Sequence, residues 1–448
     1  MKKSISKVNE RKELINDFLY NEDTRKLCRL EGQNTFSRDR KIVFSDLLML
    51  VLNNKSKTTS MEIRDYELKL KGSEKVNYTD EAYLKQRRSL NPEVFKAATK
   101  LFLNNFYNSD EILTTKGYVI TSADGSKYEV PNTPQNREFY GVQKTQHERQ
   151  PARANTSTLY DLNNNFCLDF VIDKYNASEK TMAKRNIEEA LKIIANEKLI
   201  VIFDRNYLSL EFLLWLNERQ IKYIFRANKI CYKTERGSMK TSDELVNIQH
   251  TYPRLQNLRT SYSEECQKLE DLKETSVRIT NFEIDNKDEV TLVSNLSSDE
   301  FKATDLEELY YKRWNIEKSY NCMKNKLLSE TFTGNLPIIL EQDLYARILI
   351  YNQIQDLMNI ANEKLKDKSK GRNLKHSYQI NENKAIGIFK DEFIRIYLIK
   401  DNRKSKQEYE RLSTEMSCYV SCVRNDRKTQ PRNFNRANKY KTNIKRSY

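Results

Sequence analysis

In the segment LYYKRWNIEKSYNCMK, the residues Tyr310, Arg313, Glu317 and Lys324 fall within a sector of roughly 60° on one helix face, at about 100° per residue. The stripe sets a carboxylate among a phenol and two cations. Leu309, Ile316, Tyr320, Met323 and Leu327 fill the neighbouring sector, so the helix can pack by one edge and present its polar stripe along the other. Taken alone, the same pattern also describes a solvated face with chance charge pairing. Two further carboxylates sharpen the reading. Asp124 follows the apolar run YVITSA, and Asp204 ends the run LIVIF. Continuous apolar runs of this kind form buried strands, and an acid at the exit of one needs a partner. In a mixed α/β sheet ligand sites lie at strand ends, where two acids on neighbouring strands can jointly hold a divalent cation. Oxygen donors without nearby Cys or His favour magnesium or manganese over zinc. Two such ions, about 4 Å apart, activate a water or a 3′-hydroxyl and stabilise the leaving oxygen in phosphodiester displacement. In that chemistry the acids hold metal while Arg and Lys hold phosphates.

Composition agrees with a polyanionic partner. The 448 residues include 78 Lys and Arg against 63 Asp and Glu, a net charge of +15 and a pI near 9.2, which makes nucleic acid the leading partner class. The N-terminus has the charges of a signal peptide without an apolar stretch behind them, and the longest early apolar run, LLMLVL at 47–52, is far too short to span a bilayer. A cytoplasmic, nucleoid-associated protein with no membrane partner is expected. Seven cysteines form no C-x-x-C pair, and His147, His250 and His376 form no H-E-x-x-H pair, which excludes a disulfide framework and argues against a zinc hydrolase.

The elements that must position these residues follow from the periodicities. Residues 1–112 are read as a helical N-terminal DNA-binding domain, with helices in FSDLLMLVLNN and NPEVFKAATKLFLNNF, N-caps at Ser45 and Asn91, and Pro92 at a first helical position. Residues 113–335 alternate. The run YVITSAD and the hairpin STLYDLNNNFCLDFVID are followed by the helix ASEKTMAKRNIEEALKIIANEK and the strand KLIVIFD, then the helix SLEFLLWLNERQ and the strand IKYIFRA. This predicts an α/β layer with a mixed sheet, broken at about 228–288 by an insertion of strands and loops. Residues 336–448 begin with the helix DLYARILIYNQIQDLMNIANEK and end in a basic tail, where residues 424–448 hold nine Lys and Arg against the single acid Asp426. The tail reads as a DNA contact. Asp161, Asp169 and Asp173 flank the hairpin and read as turn or surface residues.

The four-residue pattern resembles the Y-x2-R-x3-E-x6-K signature of bacterial insertion-sequence transposases of the DDE type, the cut-and-paste group with a ribonuclease-H-like catalytic core. SADGSKYEVPN resembles that family's first-aspartate segment, VIFDRNYLS its second, VTLVSNLSSDEF the lead-in to the third, and FSRDRKIVFSDLLMLVLN its N-terminal helical region. Asn206 stands where the family usually has glycine, and Ser294 where threonine is commoner. The resemblance implies a ribonuclease-H-like mixed sheet flanked by helices, with an N-terminal helical domain and a β-rich insertion that helps hold a flipped base during hairpin formation. It implies Asp124, Asp204 and Glu317 as the metal-binding triad for two Mg2+ ions, with Mn2+ as a substitute. Tyr310, Arg313 and Lys324 would contact phosphates of the cut end. Arg205 reads as a DNA contact or as the partner of a carboxylate, and Trp314 as packing or as stacking. The expected activity is cleavage at terminal inverted repeats and joining of 3′-hydroxyls to target double-stranded DNA, by an assembly of at least two copies. The alternatives are a structure-specific metal-dependent nuclease on the same core, and a non-catalytic DNA-binding protein derived from a transposase.

Overall fold

The computed structural model describes residues 4–38, 40–144, 150–284, 288–370 and 376–423. The basic tail at 424–448, and the DNA contact expected of it, lie outside the described residues.

A single eight-stranded sheet organises the centre of the chain. Its strands are β1 (Val119–Glu129), β2 (Arg153–Asp161), β3 (Cys167–Lys174), β4 (Leu199–Phe203), β5 (Lys222–Arg226), β6 (Asp243–Gln249), β7 (Glu274–Ile284) and β8 (Asp288–Ser294). They lie in the order β3-β2-β1-β4-β5-β8-β7-β6. The first three pair antiparallel, β4 and β5 run parallel to β1, and β8, β7 and β6 continue antiparallel. The order of β1 to β5 is the ribonuclease-H-like arrangement expected from the sequence. Every residue of β4 is buried, as its unbroken LIVIF run requires, and Phe203 stacks on Phe225 of β5 at 4.5 Å.

Two features of the sheet differ from the reading of the sequence. β1 does not end before Asp124 but runs on to Glu129, because the polar stretch DGSKYE keeps its ladder with β2 after β4 has stopped. The insertion does not stand apart as strands and loops. Its β6 and β7 lengthen the core sheet through β8, and it also carries the helices Lys233–Ser238, Tyr252–Leu255, Leu258–Ser261 and Ser263–Leu272.

Helices cover the sheet and make up most of the N- and C-terminal regions, the latter with a two-stranded antiparallel sheet of Ser377–Ile380 and Val420–Val423. Those used below are α1 (Ile5–Tyr20), α2 (Phe44–Leu52), α3 (Glu93–Tyr107), α4 (Glu179–Ala190), α5 (Leu210–Glu218), α6 (Ala303–Lys312), α7 (Asn315–Asn321), α8 (Pro337–Ser369) and α9 (Asn402–Met416). Pro92, not Asn91, holds the cap position of α3, and Asn91 just before it accepts from the Glu93 N–H at 3.1 Å. Ser45 does not cap α2. Val43 holds the cap position without a side-chain bond, and the first turn is instead anchored by Asp46, which accepts from Tyr66 Oη at 2.8 Å and Lys71 Nζ at 2.6 Å. The long helix α8 packs against α1, α2, α3, α9 and β3. Asn352 of α8 accepts from the Cys167 N–H and donates to the Cys167 carbonyl, both at 2.9 Å, which satisfies backbone groups that edge strand β3 would otherwise leave open. No described helix is long and apolar enough to cross a membrane.

Of the three hairpin acids, Asp161 is fully buried rather than at the surface. It accepts from Tyr107 Oη, from the Asn163 and Asn164 N–H groups at 2.8 and 2.9 Å, and from Asn164 Nδ2 at 2.8 Å, which fixes the turn. Asp169 lies within β3, where burial pushes its carboxyl up to about 6 and Asn186 Nδ2 donates to it at 2.8 Å. Asp173 pairs with Arg185 at 2.7 Å.

Candidate active site

The parallel ladder of β1 and β4 sets the site. Ala123 is the register partner of Phe203, so Asp124 and Asp204 occupy equivalent positions one step further along adjacent strands. Thr121 Oγ1 and Ser122 Oγ each donate to a β4 carbonyl, of Ile200 and Ile202, at 2.9 Å. These bonds clamp the two strands immediately before the acids. Asp124 is half-buried, and burial, reinforced by the negative charges of Asp204 and Glu179, pushes its carboxyl up to about 6 against the pull of the Gly125 N–H and of Arg313. The Gly125 N–H donates to Asp124 Oδ1 at 2.9 Å. Asp204 follows the last residue of β4 and opens a 3-10 turn, Arg205–Tyr207. Asn206 sits in that turn and is not among the residues of positive φ, so the left-handed tolerance of asparagine is not used. Arg205 is exposed, and no described carboxylate lies within ion-pair distance of it.

The third carboxylate comes from a helix that is not continuous. The sequence predicts one helix through Leu309 to Lys324; the chain instead passes from α6 to α7 through Arg313 and Trp314, then into a π-turn at Cys322–Lys326. At the break the Arg313 and Trp314 N–H groups reach back three residues, to the Tyr310 and Tyr311 carbonyls at 3.1 and 3.3 Å. The stripe is therefore not a solvated face. Tyr310 is 1 % exposed and Arg313 4 %, whereas the Glu317 side chain is 46 % exposed. Tyr310 Oη accepts from Arg226 Nη1 at 3.3 Å. Trp314 is 46 % exposed and lies against the guanidinium of Arg313 at 4.9 Å, so it is not a core packing residue.

Helix α7 is tied to β1 by a residue that the sequence reading classed only as apolar. Tyr320 Oη donates to the Asp124 carbonyl at 2.7 Å, which fastens to β1 the helix that carries Glu317 one turn earlier. The Glu317 carboxylate then pairs with Arg313 Nη2 at 3.7 Å. Lys324 Nζ donates to the Lys127 carbonyl at 2.6 Å, lies 3.7 Å from Glu330, and covers the Tyr128 ring at 4.3 Å; burial pulls its pKa down. Of the three acids, two are brought side by side and the third is paired with Arg313. Among the described residues no three Asp, Glu, His or Cys side chains converge closely enough to hold a metal ion. Glu179, not singled out in the sequence, leans over Gly125.

An oxygen-only donor set fits a hard divalent cation. The Asp204 carboxylate has no hydrogen bond or ion pair among the described residues, and the like charges beside Asp124 raise its proton affinity, so a cation would relieve the pair.

The sequence matches the family described as Transposase DDE domain over residues 115–353. No curated protein matches it. Among solved structures, it is similar to a piggyBac transposase determined by cryo-EM in a synaptic complex with hairpin DNA. The two share 8 % identity over 90 % of this chain and 85 % of that chain, with a TM-score of 0.42.

Proposed function

We propose that this chain, which belongs to the DDE transposase family, is a cut-and-paste transposase whose catalytic carboxylates are Asp124, Asp204 and Glu317. It binds the terminal inverted repeats of its element, cleaves the ends through a hairpin intermediate, and joins the freed 3′-hydroxyls to target double-stranded DNA. Two copies act together, one at each end. The observation that carries this reading is the placement of Asp124 and Asp204 at equal register on parallel strands, with Glu317 one turn from a tyrosine bonded to Asp124.

The three carboxylates would hold two Mg2+ ions, replaceable by Mn2+, which supply activation of the attacking oxygen and stabilisation of the leaving one. The remaining work falls to the protein. Glu317 is exposed enough to turn from Arg313 toward the aspartates, and that turn releases a guanidinium able to grip a phosphate with two parallel N–H bonds. Tyr310, braced by Arg226, backs the same phosphate, while Lys324 serves a further phosphate of the end. Arg205 and Trp314 are exposed and contact the same DNA.

The test is a time course on a labelled duplex of the element's end with Mg2+, resolving nicked, hairpin and blunt products on a denaturing gel. Glu317→Gln and Asp204→Asn are expected to bind the duplex and to cut it about a thousandfold more slowly, a loss on the order of 4 kcal/mol in the transition state. Cutting at the wild-type rate by either variant removes that residue from the site.

A further inference from the structure

The N-terminal region holds a cleft of about 560 Å3 between residues 34–38 and 40–44, which lead into α2, and residues 77–89, which include the helix Asp80–Arg87. That volume lies within the range of small-molecule sites. Arg38, Arg40, Lys41 and Lys85 line it, all exposed, and among the described residues no acid does. None of these cations is in an ion pair among the described residues. A cleft of about 490 Å3 between α3, β3 and α4 holds as many cations, but each of them meets an acid. There Lys96 pairs with Glu93 at 3.2 Å, Lys100 with Glu189 at 3.7 Å, Arg185 with Asp173 at 2.7 Å, and Lys192 with Glu189. Walls neutralised in this way need no ligand, whereas the N-terminal cleft gathers positive charge for an anion from outside.

Two half-buried rings, Phe36 and Tyr78, belong to the same lining. Phe36 is held at a φ of 55°, in the left-handed region that bulky side chains rarely enter, and its ring meets Phe44 at 5.5 Å. Backbone strain of this kind gathers at ligand clamps. Tyr78 is fixed by donating its Oη to Glu67 at 2.9 Å. Asn77 and Gln86 also line the cleft and make no side-chain hydrogen bond among the described residues. Each offers a donor and an acceptor, as the edge of a base requires.

We infer that this cleft binds a nucleotide, its base stacked on Phe36 or Tyr78 and its phosphate held by the cations. A duplex is a convex cylinder wider than such a cleft, so the nucleotide enters singly. It comes either out of a DNA strand or as a free nucleoside phosphate. An acidic peptide would satisfy the cations but leave the rings and amides unused. The inference is independent of the assignment of the catalytic carboxylates.

The experiment measures binding by the full chain in EDTA. Fluorescence anisotropy compares a labelled duplex carrying one unpaired adenosine with the same duplex fully paired, and filter binding follows radiolabelled dATP. The wild type should bind the unpaired nucleotide's duplex about tenfold more tightly than the paired one, or bind dATP saturably. The first result identifies the strand as the source, the second the free nucleotide. Arg40→Gln combined with Lys85→Gln, and separately Phe36→Leu, should abolish that preference or that binding. The charge variant alters exposed side chains alone and should keep the wild-type Tm, so the test stands even if Phe36→Leu fails to fold. A wild type with no preference between the duplexes and no dATP binding overturns the inference, and so does a nucleotide signal that survives in the charge variant. Binding of a labelled polyglutamate peptide, lost in the charge variant and unaccompanied by either nucleotide signal, assigns the cleft to an acidic partner and also overturns it.

Discussion

Arg11 and Arg313 are both almost wholly buried, yet their surroundings differ. Arg11 of α1 holds Asp356 of α8 with two bonds, at 2.7 and 3.0 Å, and Glu111 with a third at 2.8 Å. Its guanidinium also covers the rings of Phe102 and Phe106 at 5.8 and 5.4 Å. Arg313 makes one ion pair of 3.7 Å, to an exposed glutamate, and its Nε has no partner. Burial makes unpaired donors costly, so a chain that leaves one beside two carboxylates has given up stability at that point. Arg11 has its charge fully matched and is structural. Arg313 keeps donors in reserve.

The largest expected effect is at the matched arginine. Arg11→Ala strands Asp356 and Glu111 and should cost about 3–5 kcal/mol of stability in urea unfolding, with cutting per folded molecule unchanged. Next is Arg313→Ala, which should lower Tm less than Arg11→Ala. It should also slow hairpin formation or resolution about ten- to a hundredfold while leaving first-strand nicking partly intact. Equal losses of stability in the two variants would erase the distinction between them. A third test separates the sites by pH. The Asp124 carboxyl is pushed up to about 6 from an ordinary 3.8, so the proton it holds adds stability that is full below about 3.8 and is lost as pH rises through about 6. Asp124→Asn should therefore gain in Tm over the wild type as pH is raised across that window in EDTA, whereas Arg11→Ala should show no such trend there. The smallest effect is expected for Tyr320→Phe, which removes one bond to the Asp124 carbonyl and should cost about 1 kcal/mol. Its kcat for cutting should fall while duplex binding holds, since only the tether of α7 changes.

How much of this was legible in the sequence depends on whether a residue's neighbours are local. The unbroken run LIVIF and the alternation around it identify β4, α5 and β5, and with them the position of Asp204. Asp124 was equally visible, but the continuation of β1 was not, because GSKYE has no apolar alternation and β2 is the one strand it pairs with. The break at Arg313 and Trp314 carries no proline or glycine to announce it. Tyr310 and Ile316, on either side of it, are both buried. Glu179 was equally unreadable: a helix-initial acid has a sufficient local explanation, and only the fold brings it over Gly125.

The length of β1 has a consequence for how such a gene can change. The strand receives Tyr320 at the carbonyl of Asp124, Lys324 at the carbonyl of Lys127, and Glu330 at the N–H of Glu129, at 2.7, 2.6 and 3.0 Å. All three fastenings on β1 are to main chain, so substitutions at Ser126 or Lys127 leave them in place. Loss of a single codon between 125 and 128 would move the later two fastenings out of step with the first and turn each following side chain to the opposite face. Heritable variation along this strand should therefore consist of replacements, with insertions and deletions confined to the connections on either side.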